Sequence, residues 1–292
     1  MKISNPIAAI ENQLFDVVEH QLIPNTNDGS FENPTVRGLY KHTGGNALGV
    51  VGANFNVTQP KALFNAYTEC IGEIRDLDIN NLEYQETKDG AKVRFRLKVA
   101  DFGFKNGAGK SDDLNTYITL TSGYDGNTKT SLSVESYRLI CSNGMRIQGT
   151  TKVLGVKNVK GNAGKIESIC NEMAKVIGKV EKVEDYFKLL DGIDINELQV
   201  QKVIKDSFGY NRSDKTELSK ARLTTLDEIE NSIALEISRT GGNLWGLLNG
   251  ITHYTNHGGR TKSDMTDYIY QAAGARINDK AQAAVNKLVQ MA

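Results

Sequence analysis

The stretch NLEYQETKDGAKVRFRLKVA, residues 81–100, decides the fold class. Polar and apolar side chains alternate on both sides of Lys88-Asp89-Gly90, and an Asp-Gly turn between two alternating runs is a strong β-hairpin signal. Leu82 to Thr87 and Lys92 to Ala100 are therefore predicted to pair as antiparallel strands. Further on, Thr116 to Ser122 and Thr130 to Ile140 flank Tyr124-Asp125-Gly126-Asn127 in the same manner, and Cys141-Ser142-Asn143-Gly144 turns the chain into Met145 to Val156. Residues 81–156 thus read as one antiparallel, hairpin-built sheet.

On both sides of this region the apolar period changes from 2 to about 3.6. Asn5-Pro6 predicts an N-cap, and Ile7, Ile10, Leu14, Val17 and Val18 predict a short amphipathic helix reaching Pro24. Val36 to Tyr40 and Leu48 to Val57 read as strands. Pro60 opens a helix with Leu63, Ala66, Tyr67, Cys70, Ile71 and Ile74 on its inner face. Past Gly164 a stripe from Ile166 through Val176, Val183 and Phe187 to Leu190 predicts a helix of roughly 26 residues, about 40 Å long. Such a helix can brace a sheet. Asp194 with Glu197 predicts the start of another helix, ended by Gly209, and three more stretches follow at about 224–239, 243–257 and 264–290. The fold class is α+β, with the sheet braced by a long helix and followed by a helical C-terminal region. The predicted division is a sheet-bearing core over residues 1–190 and a helical region over 191–292.

Composition narrows the function classes. The 35 Lys and Arg balance 35 Asp and Glu, so any role in binding polyanions has to come from a local patch. Three cysteines, Cys70, Cys141 and Cys170, without C-x-x-C spacing argue against a disulfide scaffold. The first twenty residues lack the apolar core of a signal peptide, and no apolar run reaches membrane-spanning length, which together predict a cytoplasmic address and no membrane partner.

Three ordered segments carry a family resemblance. Val36-Arg37 with LGVVGANFNVTQPKALFNAYTE, then YITLTSGYDGNTKTSLSVESYRLICSNGM, then NLWGLLNGITHYTNHG, resemble the phage/plasmid-like proteins classified as a domain of unknown function, over residues 35 to 258. The chain departs from that pattern at Phe55-Asn56, where a Tyr is usual, and at His253, where an acidic residue is common. The resemblance implies no established activity, and a phage origin would place the protein in the host cytoplasm. Beyond it, a hairpin-rich sheet braced by a helix is similar at fold level to single-strand annealing proteins.

Several constellations resemble sites of known chemistry. Residues 103–111 imitate a phosphate-binding loop, but five residues rather than four separate Gly103 from Gly109-Lys110-Ser111, and a strand follows instead of a helix. His253 and His257, at i and i+4 on one helical face, could share a metal, but they lack the neighbouring Glu of zinc proteases and no further ligand shows metal spacing, so the favoured reading is a helix C-terminus. Cys141 reads as a small core residue and Asp112-Asp113 as solvated loop carboxylates. No enzyme active site, cofactor or metal is predicted.

The sharpest feature is Lys92, Arg94, Arg96 and Lys98 alternating with Val93, Phe95, Leu97 and Val99, which places four cations on one sheet face pointing away from the core. Residues 81–180 hold 16 Lys and Arg against 10 Asp and Glu. Within them Lys129, Arg138, Arg146, Lys152, Lys157, Lys160 and Lys165 face only Glu135. These cations, with Tyr117 and Tyr137 as stacking faces (and Tyr124 as a third), predict a single-stranded DNA site. The expected function is a DNA-metabolism protein that binds, and by the fold analogy anneals, single strands as a homo-oligomer. The alternative is a non-enzymatic host-interaction or anti-defence factor that binds a protein partner through its C-terminal helices.

Overall fold

The computed structural model describes residues 6–22, 36–74, 77–138, 143–146, 154–162, 180–214, 216–258 and 273–292. They form an α+β protein whose sheets are antiparallel. After a short helix α1 (Pro6–Glu11), strands β1 (Val17–Gln21), β2 (Val36–Lys41) and β3 (Gly49–Gly52) make a three-stranded sheet in the order β1-β2-β3. The helix expected to reach Pro24 stops at Glu11. Val17 and Val18 are β-branched and pair instead with Lys41 and Tyr40. The Gln59 side chain extends that pairing, donating to the Val17 carbonyl (2.9 Å) and accepting from its N–H (2.8 Å).

The central sheet contains β4 (Leu82–Thr87), β5 (Lys92–Lys105), β6 (Ser111–Gly123), β7 (Thr130–Arg138) and β8 (Asn143–Arg146) in sequential order, with β9 (Leu154–Val156) also paired to β7. The first hairpin forms as the Asp-Gly signal predicts: Thr87 faces Lys92, and the turn carries positive φ at Lys88, Asp89 and Gly90. The Gly-rich segment that imitates a phosphate loop is the bend between β5 and β6. Helix α2 (Pro60–Gly72) covers the apolar side of the first hairpin through Leu63, Phe64, Tyr67 and Ile71. Its Phe64 ring lies 5.7 Å from Phe95, and Tyr67 donates to the Ile118 carbonyl at 2.7 Å.

Five further helices are described: α3 (Glu181–Asp191), α4 (Glu197–Phe208), α5 (Lys220–Thr240), α6 (Leu244–His253) and α7 (Ala273–Val289). The part of the long predicted helix before residue 180 lies outside the described residues. Asn196, not Asp194, caps α4, with Gln199 completing the reciprocal capping box, and Gly209 closes the helix at φ +84°. Phe104, Phe187 and Trp245 form the aromatic centre of the helical core, Phe187 and Trp245 having ring centroids 4.7 Å apart.

Contacts gather into two compact units that interleave along the chain. One comprises Met1–Val99, Ile118–Ser133 and Val153–Ile177; the other comprises Ala100–Tyr117, Val134–Lys152 and Gly178–Ala292. Strands β5, β6 and β7 contribute to both.

Within the helical unit, α5 and α6 approach closely because Gly246 and Gly250 lack side chains. A Cβ on Gly250 would sit 2.4 Å from the Ile233 Cα, a backbone atom that cannot swing aside. Gly250→Ala is therefore expected to destabilise by about 1–3 kcal/mol through overpacking, against a helix-propensity gain of only about 1 kcal/mol. Gly72, at the end of α2, meets nothing within 4 Å. Gly72→Ala is expected to stabilise by roughly 0.4–1 kcal/mol. Urea midpoints of the two variants should move in opposite directions.

Candidate nucleic-acid interface

The alternation in β5 sets Lys92, Arg94 and Arg96 on the side opposite Val93, Phe95 and Leu97, as expected of a strand. Their expected exposure fails. Lys92 is 4%, Arg94 0% and Arg96 7% accessible, so the face pointing away from the aromatic core is itself enclosed. Like charges two residues apart repel, and buried ones require partners. Lys92 Nζ lies 3.6 Å from an Asp125 carboxylate oxygen, Arg94 donates to Gln85 Oε1 at 3.1 Å, and Arg96 donates to Glu83 at 2.8 Å. Lys98 is half-buried. The acceptors are in β4 and the turn after β6, so these charges are largely compensated inside the protein.

Arg138 departs further from the expected exposed cation. It is 1% exposed and pairs with Asp112 and Glu236, both fully buried. Asp112, expected to be a solvated loop carboxylate, is the centre of this cluster: it also accepts from Trp245 Nε1 at 2.8 Å and Asn106 Nδ2 at 2.9 Å. Arg138 thus serves the core and is not placed to meet a phosphate. Tyr117 and Tyr137 pack edge-on at 5.2 Å, with Tyr117 9% exposed and the Tyr137 hydroxyl donating to Glu135. So little exposure leaves Tyr117 almost no ring face for base stacking, and Tyr124, 1% exposed, is likewise closed to a base. The Arg146 side chain and all of Lys152 lie outside the described residues.

Lys129 and Lys157 remain exposed. The ladder ends with Thr130 opposite Val156, and Lys129 and Lys157 are the residues next to that last pair, so continuing the register by one step would set like charges across from each other. Lys160, also exposed, follows after a bridge between Phe55 and Val159. Asn158 fixes this end: its amide donates to the Gly123 and Thr128 carbonyls, both at 3.1 Å, and its oxygen accepts from Thr130 Oγ1 at 2.7 Å. The Asn158 carbonyl accepts from Asn56 N–H, and Lys160 N–H donates to Asn54. None of the three lysines has an ion pair among the described residues. The charge count marks this stretch as basic; the register that brings Lys129 and Lys157 together depends on β9, only three residues long, and Asn158 gave no sequence signal.

The segments behind the family resemblance prove to be structural. Arg37 pairs with Glu19 and donates to the Phe55 carbonyl at 2.9 Å, fixing the segment after β3. Asp125 accepts from the N–H groups of Asn127 and Thr128, shaping the β6–β7 turn. Asn243 caps α6 through Gly246 N–H while its amide donates to the Asp191 side chain at 2.8 Å.

Fold and site together define an α+β protein with a hairpin-built antiparallel sheet, a helical C-terminal region and an exposed basic sheet end at Lys129, Lys157 and Lys160. The chain belongs to the family described as a domain of unknown function (DUF932), whose model matches residues 47–280. No curated protein and no solved structure matches it. Among the described residues no helix is long and apolar enough to cross a membrane.

Proposed function

We propose that the chain binds single-stranded nucleic acid, DNA in the first instance, at the β7–β9 end of the sheet. The observation that carries the reading is the exposed trio Lys129, Lys157 and Lys160, which has no ion pair among the described residues. Opposed lysines destabilise a ladder unless an anion comes between them, and phosphates are anions spaced along a strand. Binding of this kind needs no reacting residue. The finer reading is a phage- or plasmid-type annealing protein acting as a homo-oligomer, neighbouring copies holding complementary strands; the fold analogy supports it.

The test is anisotropy of a labelled single-stranded oligonucleotide across a salt series. The Lys129→Glu/Lys157→Glu double variant is expected to lose at least about tenfold in affinity. Its plot of log affinity against log salt should flatten by roughly 0.7 for each lysine removed. Melting should stay close to wild type, because exposed changes of this kind usually fall within about 0.5 kcal/mol each. Unchanged affinity in a normally folded variant overturns the assignment.

A second reading, a protein-binding factor, draws on a groove of about 330 Å³ between α4 and α5, where Val200, Ile233 and Ile237 are flanked by Glu197, Arg212 and Glu230, and on Leu198 of α4, which is 82% exposed. Absence of oligonucleotide binding at every salt concentration would put that reading first.

A further inference from the structure

Helix α6 does not end cleanly. After His253 it widens into a π-turn over Tyr254–Gly258, and such local widenings are frequent at functional sites. His253 and His257 stand four residues apart across this turn with ring centroids 4.9 Å apart. Two imidazoles bound side by side to one ion at metal–nitrogen distances of 2.0–2.1 Å would hold their centroids roughly 4.5–5 Å apart.

The half-buried His253 ring is also oriented from outside, as metal-binding histidines are. Its Nδ1 lies 2.8 Å from Ser232 Oγ on α5, which leaves Nε2 as the ring nitrogen for a ligand. With a metal on Nε2, the tautomer is fixed with Nδ1–H donating to Ser232. The other charged or titratable groups acting on this ring are Glu236 and Arg239 from α5 and His257 itself.

We propose that His253 and His257 form a two-nitrogen site for a late first-row divalent cation, Cu²⁺ or Ni²⁺ ahead of Zn²⁺, with water filling the remaining positions. The order follows from the rise in affinity of nitrogen ligands toward Cu²⁺. The ion would bridge one turn of α6 and tie it, through Ser232, to α5. This site is independent of the lysines at the β7–β9 end.

Calorimetric titration of the full chain with Ni²⁺, and electron paramagnetic resonance of its Cu²⁺ complex, test the assignment. Wild type is expected to bind one equivalent, with nitrogen couplings from two imidazoles in the Cu²⁺ spectrum. His257→Ala changes an exposed side chain and should retain the fold while weakening binding at least tenfold. Ser232→Ala should weaken it roughly tenfold by releasing the ring. His20 and His42 remain in every variant and measure background binding. A wild-type chain that takes up no metal, or a His257→Ala variant that binds as well as wild type, overturns the proposal.

Discussion

Replacing Asp112 with Ala is expected to cost about 3–5 kcal/mol of folding stability, the range for breaking a buried ion pair from one side. Asp112 is inaccessible to solvent and receives three donors, the Arg138 guanidinium, Trp245 Nε1 and Asn106 Nδ2. Without the carboxylate the indole N–H and the amide lose this acceptor in a dry interior, while Arg138 keeps its pairing with Glu236 at 2.7 Å. Arg138→Met should be comparably harmful for the opposite reason: Asp112 and Glu236 would face each other with the intervening charge removed. Arg239, which pairs with the other Glu236 oxygen at 2.8 Å, offsets only part of that. Because the residues share one network, the double variant should lose less than the sum of the singles. Urea denaturation of the three variants measures this directly. A wild-type midpoint for Asp112→Ala would mean the cluster is hydrated and worth little.

The contrast between Arg138 and Lys129 shows what the sequence could disclose. Alternation and Asp-Gly turns are local, so the hairpins from Leu82 to Arg138 were legible, and so was the face on which each cation lies. What covers that face is decided by segments far away in the chain. Arg138 looked like one more basic residue in a basic stretch, yet its partners are 26 and 98 residues distant. Asp112 looked solvated beside Asp113 because nothing local reveals that Trp245 reaches it. Val17 and Val18 fit a helical spacing and a strand equally well over so short a run, and the Gln59 side chain tipped the balance toward strand. The α5–α6 contact was readable in principle: Gly246 and Gly250 are spaced one turn apart in a largely apolar helix, a pattern that brings backbones together.

The second large effect is expected at Arg94. The strand pattern alone predicts that Arg94→Glu is harmless to folding, since a cation pointing away from the core should be solvated. With Arg94 fully enclosed and bonded to Gln85, the same change places a carboxylate where the surroundings are arranged for a cation, and a loss of about 3–5 kcal/mol is expected. Arg94→Lys keeps the charge but gives up the planar fork, and should lose only about 1–2 kcal/mol. The pair also separates two locations for the nucleic-acid site. If phosphates are held by Lys129, Lys157 and Lys160, Arg94→Lys should bind the oligonucleotide as wild type does, and Arg94→Glu should lose binding only in proportion to the fraction unfolded. If Arg94→Lys melts near wild type yet binds at least tenfold more weakly, the enclosed β5 face contacts the strand, and the assignment to the β7–β9 end must be given up. Thermal melting and anisotropy on the same samples distinguish these outcomes, because the lysines at the sheet end are untouched in both variants.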